Sequence, residues 1–481
     1  MRGRSITTLL LIVASFAVAI GVGPSDRVRA EPAAPNIVLI YTDDQRWDEL
    51  SFMPTVTSEI ARRGVTFANA FAVNPWCCPS RVSVLRGQYS HSTQIYKNQG
   101  SFGGFANVRK LGLDQSTIAT WLQAAGYRTA LMGKYLNGYN GDAVLSYVPP
   151  GWDSWMAFET SPGEVPYFDY RMSVDGQIRS FGSNETDYST DVLARDADAF
   201  IRSTPADQPL YLHLTPVAPH TPRTPAPRYL KAPCPARSLP ESVGEFDMSD
   251  KPRYAQAWTW DQSKQVAAST RWIKSCRALL ATDDLVEAVL AALADTGRLA
   301  NTLIVYASDN GELLGEHRRF GKVVPYEESI RIPLVMRFDA GGVLTGTTRT
   351  RLAANIDITA TFVDAAGVTP PYTLDGRSLL PLARGAQTTW RSGLLIEHFD
   401  TPGATDFIPS YCAIRTPRDM YIRYDTDDEP LFEELYDLST DPLQLTNLMA
   451  GSPNDAVLSR RDALLARLRQ LCSPPPPSYE I

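Results

Sequence analysis

Short apolar runs rich in β-branched residues recur along this chain, at 36–41, 128–132, 210–214, 303–306 and 333–337. Longer stretches with helical spacing lie between them, at 116–125, 190–202 and 285–295. Alternation of that kind predicts an α/β fold with a mostly parallel sheet. Beyond about residue 370 the texture changes. The segment 375–382 reads as a hinge into a smaller unit. Strand-like pieces at 394–397, 411–415 and 420–424 come next; the segments 434–438 and 441–448 follow, then a last helical stretch at 456–471, and the proline run 474–477 reads as a solvated, extended tail.

The N-terminus changes the picture first. Arg2 and Arg4 precede an almost wholly apolar stretch, 6–22, and Val28-Arg29-Ala30 offers a small-residue cleavage site before Glu31. Residues 1–30 are expected to be a signal peptide, or an N-terminal anchor if left uncleaved. A catalytic α/β domain at 31–370 and a small C-terminal α+β subdomain at 371–481 are expected to follow. No later run is apolar enough to span a bilayer. The protein is therefore expected to be secreted or extracytoplasmic, touching a membrane only through an uncleaved N-terminal segment. The formal net charge of -7, without a basic block, argues against nucleic acid as a partner. It leaves room for an anionic substrate, because a few cations can be focused in one pocket. Export permits disulfides among the six cysteines; Cys234 with Cys276 and Cys412 with Cys472 is one of several connectivities open.

Candidate chemistry collects at the carboxyl ends of four of the predicted strands, where open α/β sheets bind their ligands. The run 36–41 ends in Thr42-Asp43-Asp44-Gln45, and 128–132 ends in Gly133-Lys134. The run 210–214 leads to Pro219-His220-Thr221-Pro222, and 303–306 to Ser308-Asp309-Asn310-Gly311. Asp43, Asp44, Asp309 and Asn310 offer only oxygen ligands, a set suited to a hard cation and to calcium more than magnesium. Taken singly, an Asp pair after a strand also fits a helix N-cap, and Asp-Asn-Gly a turn.

The pentapeptide Cys77-Cys78-Pro79-Ser80-Arg81, running into Val82-Ser83-Val84-Leu85-Arg86-Gly87, adds the decisive motif. It resembles the signature of type I sulfatases. That resemblance implies an alkaline-phosphatase-like sandwich, a large sheet between helices, with a small C-terminal antiparallel sheet and one packed helix. It implies that Cys77 is converted by a formylglycine-generating enzyme to 3-oxoalanine (formylglycine), whose hydrate attacks sulfur and later collapses to expel sulfate. It also implies one Ca2+ held by Asp43, Asp44, the converted Cys77, Asp309 and Asn310. Arg81 is then expected to hold the hydrate, Lys134 and Lys322 to bind sulfate, and His220 to serve the leaving oxygen.

Gly133-Lys134-Tyr135-Leu136-Asn137 departs from many sulfatases, which carry a histidine two residues after the lysine. This form resembles the N-acetylglucosamine-6-sulfatase and heparan endosulfatase branch, as does the cysteine pair. The implied substrate is a sulfated amino sugar or glycan, with a small aryl sulfate as the alternative. A phosphodiesterase or phosphonate monoester hydrolase of the same fold, and a glycan-binding protein with a decayed site, complete the competing readings. His91 and His317 read as structural.

Overall fold

The computed structural model describes residues 1, 3, 34–160, 166–400, 407–424, 431–477 and 479. The expected signal segment, apart from residues 1 and 3, lies outside the described residues, and so do residues 161–165. The strand Asn36–Thr42 sits in the middle of a ten-stranded sheet. It runs parallel to Leu210–Thr215 on one side and to Thr302–Ser308 on the other, and Arg128–Gly133 continues the parallel array beyond Leu210–Thr215. Each of these central strands is buried along almost its whole length, as a parallel sheet covered on both faces requires. The run near 333–337 is present as Leu334–Arg337, but it pairs antiparallel with Thr302–Ser308.

Two hydrophobic clusters fill the faces of this sheet. One gathers Ile37, Leu39 and Tyr41 with Val82, Leu122 and Phe362, and the other gathers Val38 and Ile40 with Phe200, Leu285 and Val289. Alternate residues of one strand thus feed opposite layers, which is the sandwich expected. The stretch 285–295 is the end of a much longer helix, Gln262–Asp295.

The C-terminal pieces form a four-stranded antiparallel sheet in the order Leu394–His398, Tyr411–Arg415, Asp419–Tyr424 and Phe432–Asp437. The helix Asp455–Leu471 packs on it through Leu464 and Leu468. All elements lie in one compact unit, Pro35–Ile481. Disulfides join Cys234 to Cys276 and Cys412 to Cys472, leaving Cys77 and Cys78 as buried free thiols. The tail differs from a solvated run. Tyr479 is buried against Cys412 and Leu468, and its hydroxyl donates to the Arg423 carbonyl at 2.7 Å, so an aromatic anchor pins the chain end.

Candidate active site

Cys77 opens the helix Cys77–Arg86 directly after Trp76, whose extended backbone (φ -137°) makes it the N-cap. Pro79 occupies the first turn, where its missing N–H leaves nothing unsatisfied. The N–H of Cys78 is taken by Asn98 Oδ1 at 2.8 Å, and Gly87 ends the helix at φ +66°. Ser80 fixes the helix sideways: its hydroxyl lies 3.0 Å from Tyr41 Oη and receives the Asn355 amide at 2.9 Å. The positive end of the helix therefore faces the carboxylates at the sheet's rim.

The four strand ends do converge. Ligand atoms of Asp43, Asp44, Cys77 and His220 all lie within 4.8 Å of one another. Cys77 Sγ is 3.5 Å from Asp43 Oδ1 and 4.0 Å from Asp44 Oδ1. Asp309 joins from the next strand. Its Oδ1 accepts the Asp44 N–H at 3.1 Å, and its Oδ2 accepts the Arg81 Nε–H at 2.9 Å. Arg81 also donates to the Lys134 carbonyl at 3.0 Å, so one guanidinium ties the helix to two strand ends. Lys134 pairs with Asp43, and Lys322 pairs with Asp44 and lies 2.7 Å from Cys77 Sγ. His220 places Nε2 3.7 Å from Asp44 Oδ2 while its Nδ1–H donates to the Thr221 carbonyl at 2.7 Å.

Burial amplifies these charges. It would raise the Asp43 carboxyl, but Lys134, His220 and Arg81 hold it well below the usual carboxylate range. Burial lowers and Asp44 with Cys77 raise the Lys322 ammonium, which ends well above its ordinary value. Burial also pushes the Cys77 thiol up to about 12, against Lys134 and Lys322, so an unconverted cysteine here is a poor nucleophile at neutral pH. Among the described residues Asn310 Oδ1 is buried without a hydrogen-bond partner, although its amide donates to Asp44 Oδ1 at 2.8 Å. A buried oxygen left unpaired beside three carboxylates fits a hard cation.

All nine residues singled out from the sequence meet here. Leu136, at the position where many sulfatases carry histidine, is fully buried in the hydrophobic core. His317 is held by Glu245 at 2.6 Å and His91 by Glu397 at 3.1 Å, both in structural roles. Sequence reasoning missed the supports: Tyr41, Asn98 and Asn355 carry no motif, and only their place beside the helix reveals them.

A nucleophile position at a helix N-terminus, set among carboxylates and lysines at the rim of such a sheet, defines an ester hydrolase. The family model described as Sulfatase matches residues 35–368, and that described as N-sulphoglucosamine sulphohydrolase, C-terminal, matches 315–471. Human N-acetylglucosamine-6-sulfatase is 33% identical over 93% of this chain and 86% of its own length. A solved structure of a protein in complex with its substrate D-glucosamine-2-N,6-O-disulfate superposes with a TM-score of 0.76. It is 25% identical, over 92% of this chain and 98% of that one. The phosphonate monoester hydrolase of Agrobacterium radiobacter, 21% identical over 91% and 95% of the two chains, shares the fold at a TM-score of 0.67. The chain belongs to the sulfatase family and is a sulfuric ester hydrolase of alkaline-phosphatase-like fold.

Proposed function

We propose that the protein hydrolyses sulfate esters of 6-O-sulfated N-acetylglucosamine, or of a glycan that carries it, and that its nucleophile is formylglycine made from Cys77. The observation that carries this reading is the meeting of buried Cys77, Asp43 and Asp44 with half-buried Lys322 and His220. The relatives that act on sulfated glucosamine support the choice of sugar. Asp43, Asp44, Asp309, Asn310 and the converted residue 77 would hold a divalent cation, calcium by the chemistry of its oxygen donors. When bound, that ion neutralises substrate charge and lowers the nucleophile's pKa.

The chain's own groups do the rest. Lys322 beside Cys77 Sγ, and Lys134 paired with the neighbouring Asp43, bring positive charge to an incoming sulfate. Arg81 locks Asp309 and the Lys134 backbone in register with the helix. With Nδ1 committed to the Thr221 carbonyl, His220 Nε2 is the nitrogen free to carry a proton to the leaving oxygen. Two disulfides suit an oxidising compartment, and with the N-terminal segment they support export. Among the described residues no helix is long and apolar enough to cross a membrane.

The test is kcat/KM on a panel of sulfated sugars beside an aryl sulfate and its phosphate analogue, with a mass spectrum of the peptide spanning residue 77. A sulfated amino sugar is expected to be the best substrate, and residue 77 to be an aldehyde. Preference for the aryl ester over every sugar would refute the glycan assignment and leave the sulfatase chemistry standing.

A further inference from the structure

The surface changes character beside Lys322. The hairpin pairing Leu313–Leu314 with Phe320–Gly321 leads straight into that lysine. The Phe320 ring lies 5.9 Å from the ring of Trp260, tilted by 32°. Two residues of backbone span at most about 7 Å, so the Phe320 backbone lies close to that of Lys322, whose Nζ reaches Cys77 Sγ. Trp260 is half-exposed and stands outside the hydrophobic clusters of the core. Its seat is nevertheless built. A Cβ on Gly244 or on Gly315 would fall 2.3 Å from the indole, and both glycines have positive φ, +66° and +111°. The Gly244 N–H donates to the Gly315 carbonyl at 2.9 Å, so two bare backbone segments, bonded to each other, support the ring.

Charge at this rim points to the occupant. The Arg271 guanidinium lies 4.3 Å from the centre of the Phe320 ring. Its carboxylate neighbour, Glu312, is 3.9 Å away and is bonded more closely by Arg223. Arg318 donates to the backbone carbonyls of Glu245 and Phe246 at 2.7 and 2.6 Å. Arg223 and Arg271 therefore share the one Glu312 carboxylate, which leaves a positive charge in surplus beside the Phe320 ring, whereas Arg318 has the Asp247 carboxylate near it. Phe246 beside Arg318 is 96% exposed. Half-exposed aromatics beside a surplus guanidinium suit a flat, largely C–H face that bears an anionic group. A sugar ring substituted with sulfate or carboxylate has that chemistry.

We propose that Trp260, Phe320 and Arg271 form a subsite for the sugar residue next to the sulfated one, so that the enzyme recognises a chain rather than an isolated sugar. The proposal rests on the glycan reading above. It is tested by comparing kcat/KM for 6-O-sulfated N-acetylglucosamine with that for an oligosaccharide in which the same residue adjoins a uronic acid. The intact enzyme is expected to prefer the oligosaccharide. Trp260→Ala should lower kcat/KM on the oligosaccharide about tenfold more than on the monosaccharide, mainly through KM. Trp260→Phe should restore part of the difference. Arg271→Gln should weaken the response to the neighbouring carboxylate, with circular dichroism confirming that each variant folds. An intact enzyme that treats both sugars alike, or variants that lose both activities equally, would overturn the subsite while the glycan reading stands. An intact enzyme that turns over neither sugar would overturn both.

Discussion

Cys77 and Cys78 are adjacent, equally buried and free, yet the helix turns them to different surroundings. Cys77 meets Asp43 and Lys322, whereas Cys78 packs with Val82 and Tyr135 in the core. Cys77→Ala is expected to abolish turnover with the fold intact. Cys78→Ala should keep most activity and lose about 1 kcal/mol of stability, as a small core truncation does. A dead Cys78 variant beside an active Cys77 variant would reverse the assignment. Asp43→Asn and Asp309→Asn are expected to lower both metal content and kcat by about a thousandfold or more, because each removes an anionic ligand from a site with few. Metal analysis beside kinetics checks this; retention of both metal and rate would sink the ligand assignment. Asp43 and Asp309 were legible because short β-branched runs mark strand ends and ligands gather there, and Cys77 was legible through its motif. The unpaired oxygen of Asn310 and the approach of His220 to Asp44 were not, since both depend on loop geometry that no spacing encodes.

At the scale of elements, Gly133 shows how a strand end places the side chain that follows it, that of Lys134. The glycine sits at φ +122°, and a Cβ there would fall 2.1 Å from the Thr215 carbonyl oxygen. Gly133→Ala is expected to destabilise the protein by about 2 kcal/mol or more and to cut kcat by displacing Lys134. A thermal melt with kinetics below the transition separates the two effects; unchanged values would show that the strands part without loss. The same scale explains what the sequence concealed. The first turns of Gln262–Asp295 are polar and largely exposed, so no apolar stripe announces them; dense burial starts at Ser275, and the sequence pattern picked out only the last stretch, from Leu285. The strand Gln177–Ser180 is exposed at every position and lacks alternation. Its one readable sign was the Asp175-Gly176 turn, with φ of +50° and +79°, which joins it to Arg171–Val174.

For the whole molecule, pH and metal should act on stability as well as on rate. Burial, with Asp48 beside it, pushes the Glu49 carboxyl from 4.5 up to about 8. The folded protein therefore holds a proton that the unfolded chain releases near pH 4.5. The stability this group contributes is full below that point and is lost as pH rises to about 8. Glu49→Gln cannot lose it, so the variant should match the parent near pH 5 and exceed it by on the order of 3 kcal/mol at pH 9. Equal melting temperatures at both pH values would remove the buried-proton account. Chelation is expected to silence the enzyme and lower its melting temperature, and added calcium to restore both, since a ligand of the folded state alone stabilises it by mass action. Full activity after exhaustive chelation, with no metal detected, would rule out the cation.

The near-complete enclosure of Cys77, only 1% exposed with Lys322 closed over it, also sets an order of events. If residue 77 is converted by a maturation enzyme, as membership of the family implies, that enzyme must reach a thiol that the finished fold seals at a helix end. Conversion and folding would then compete for the same segment. A chain that folds first keeps its thiol for as long as it stays folded. Yield of active protein should then follow the supply of the converting enzyme during synthesis, and adding that enzyme to purified, folded protein should leave the unconverted fraction as it was.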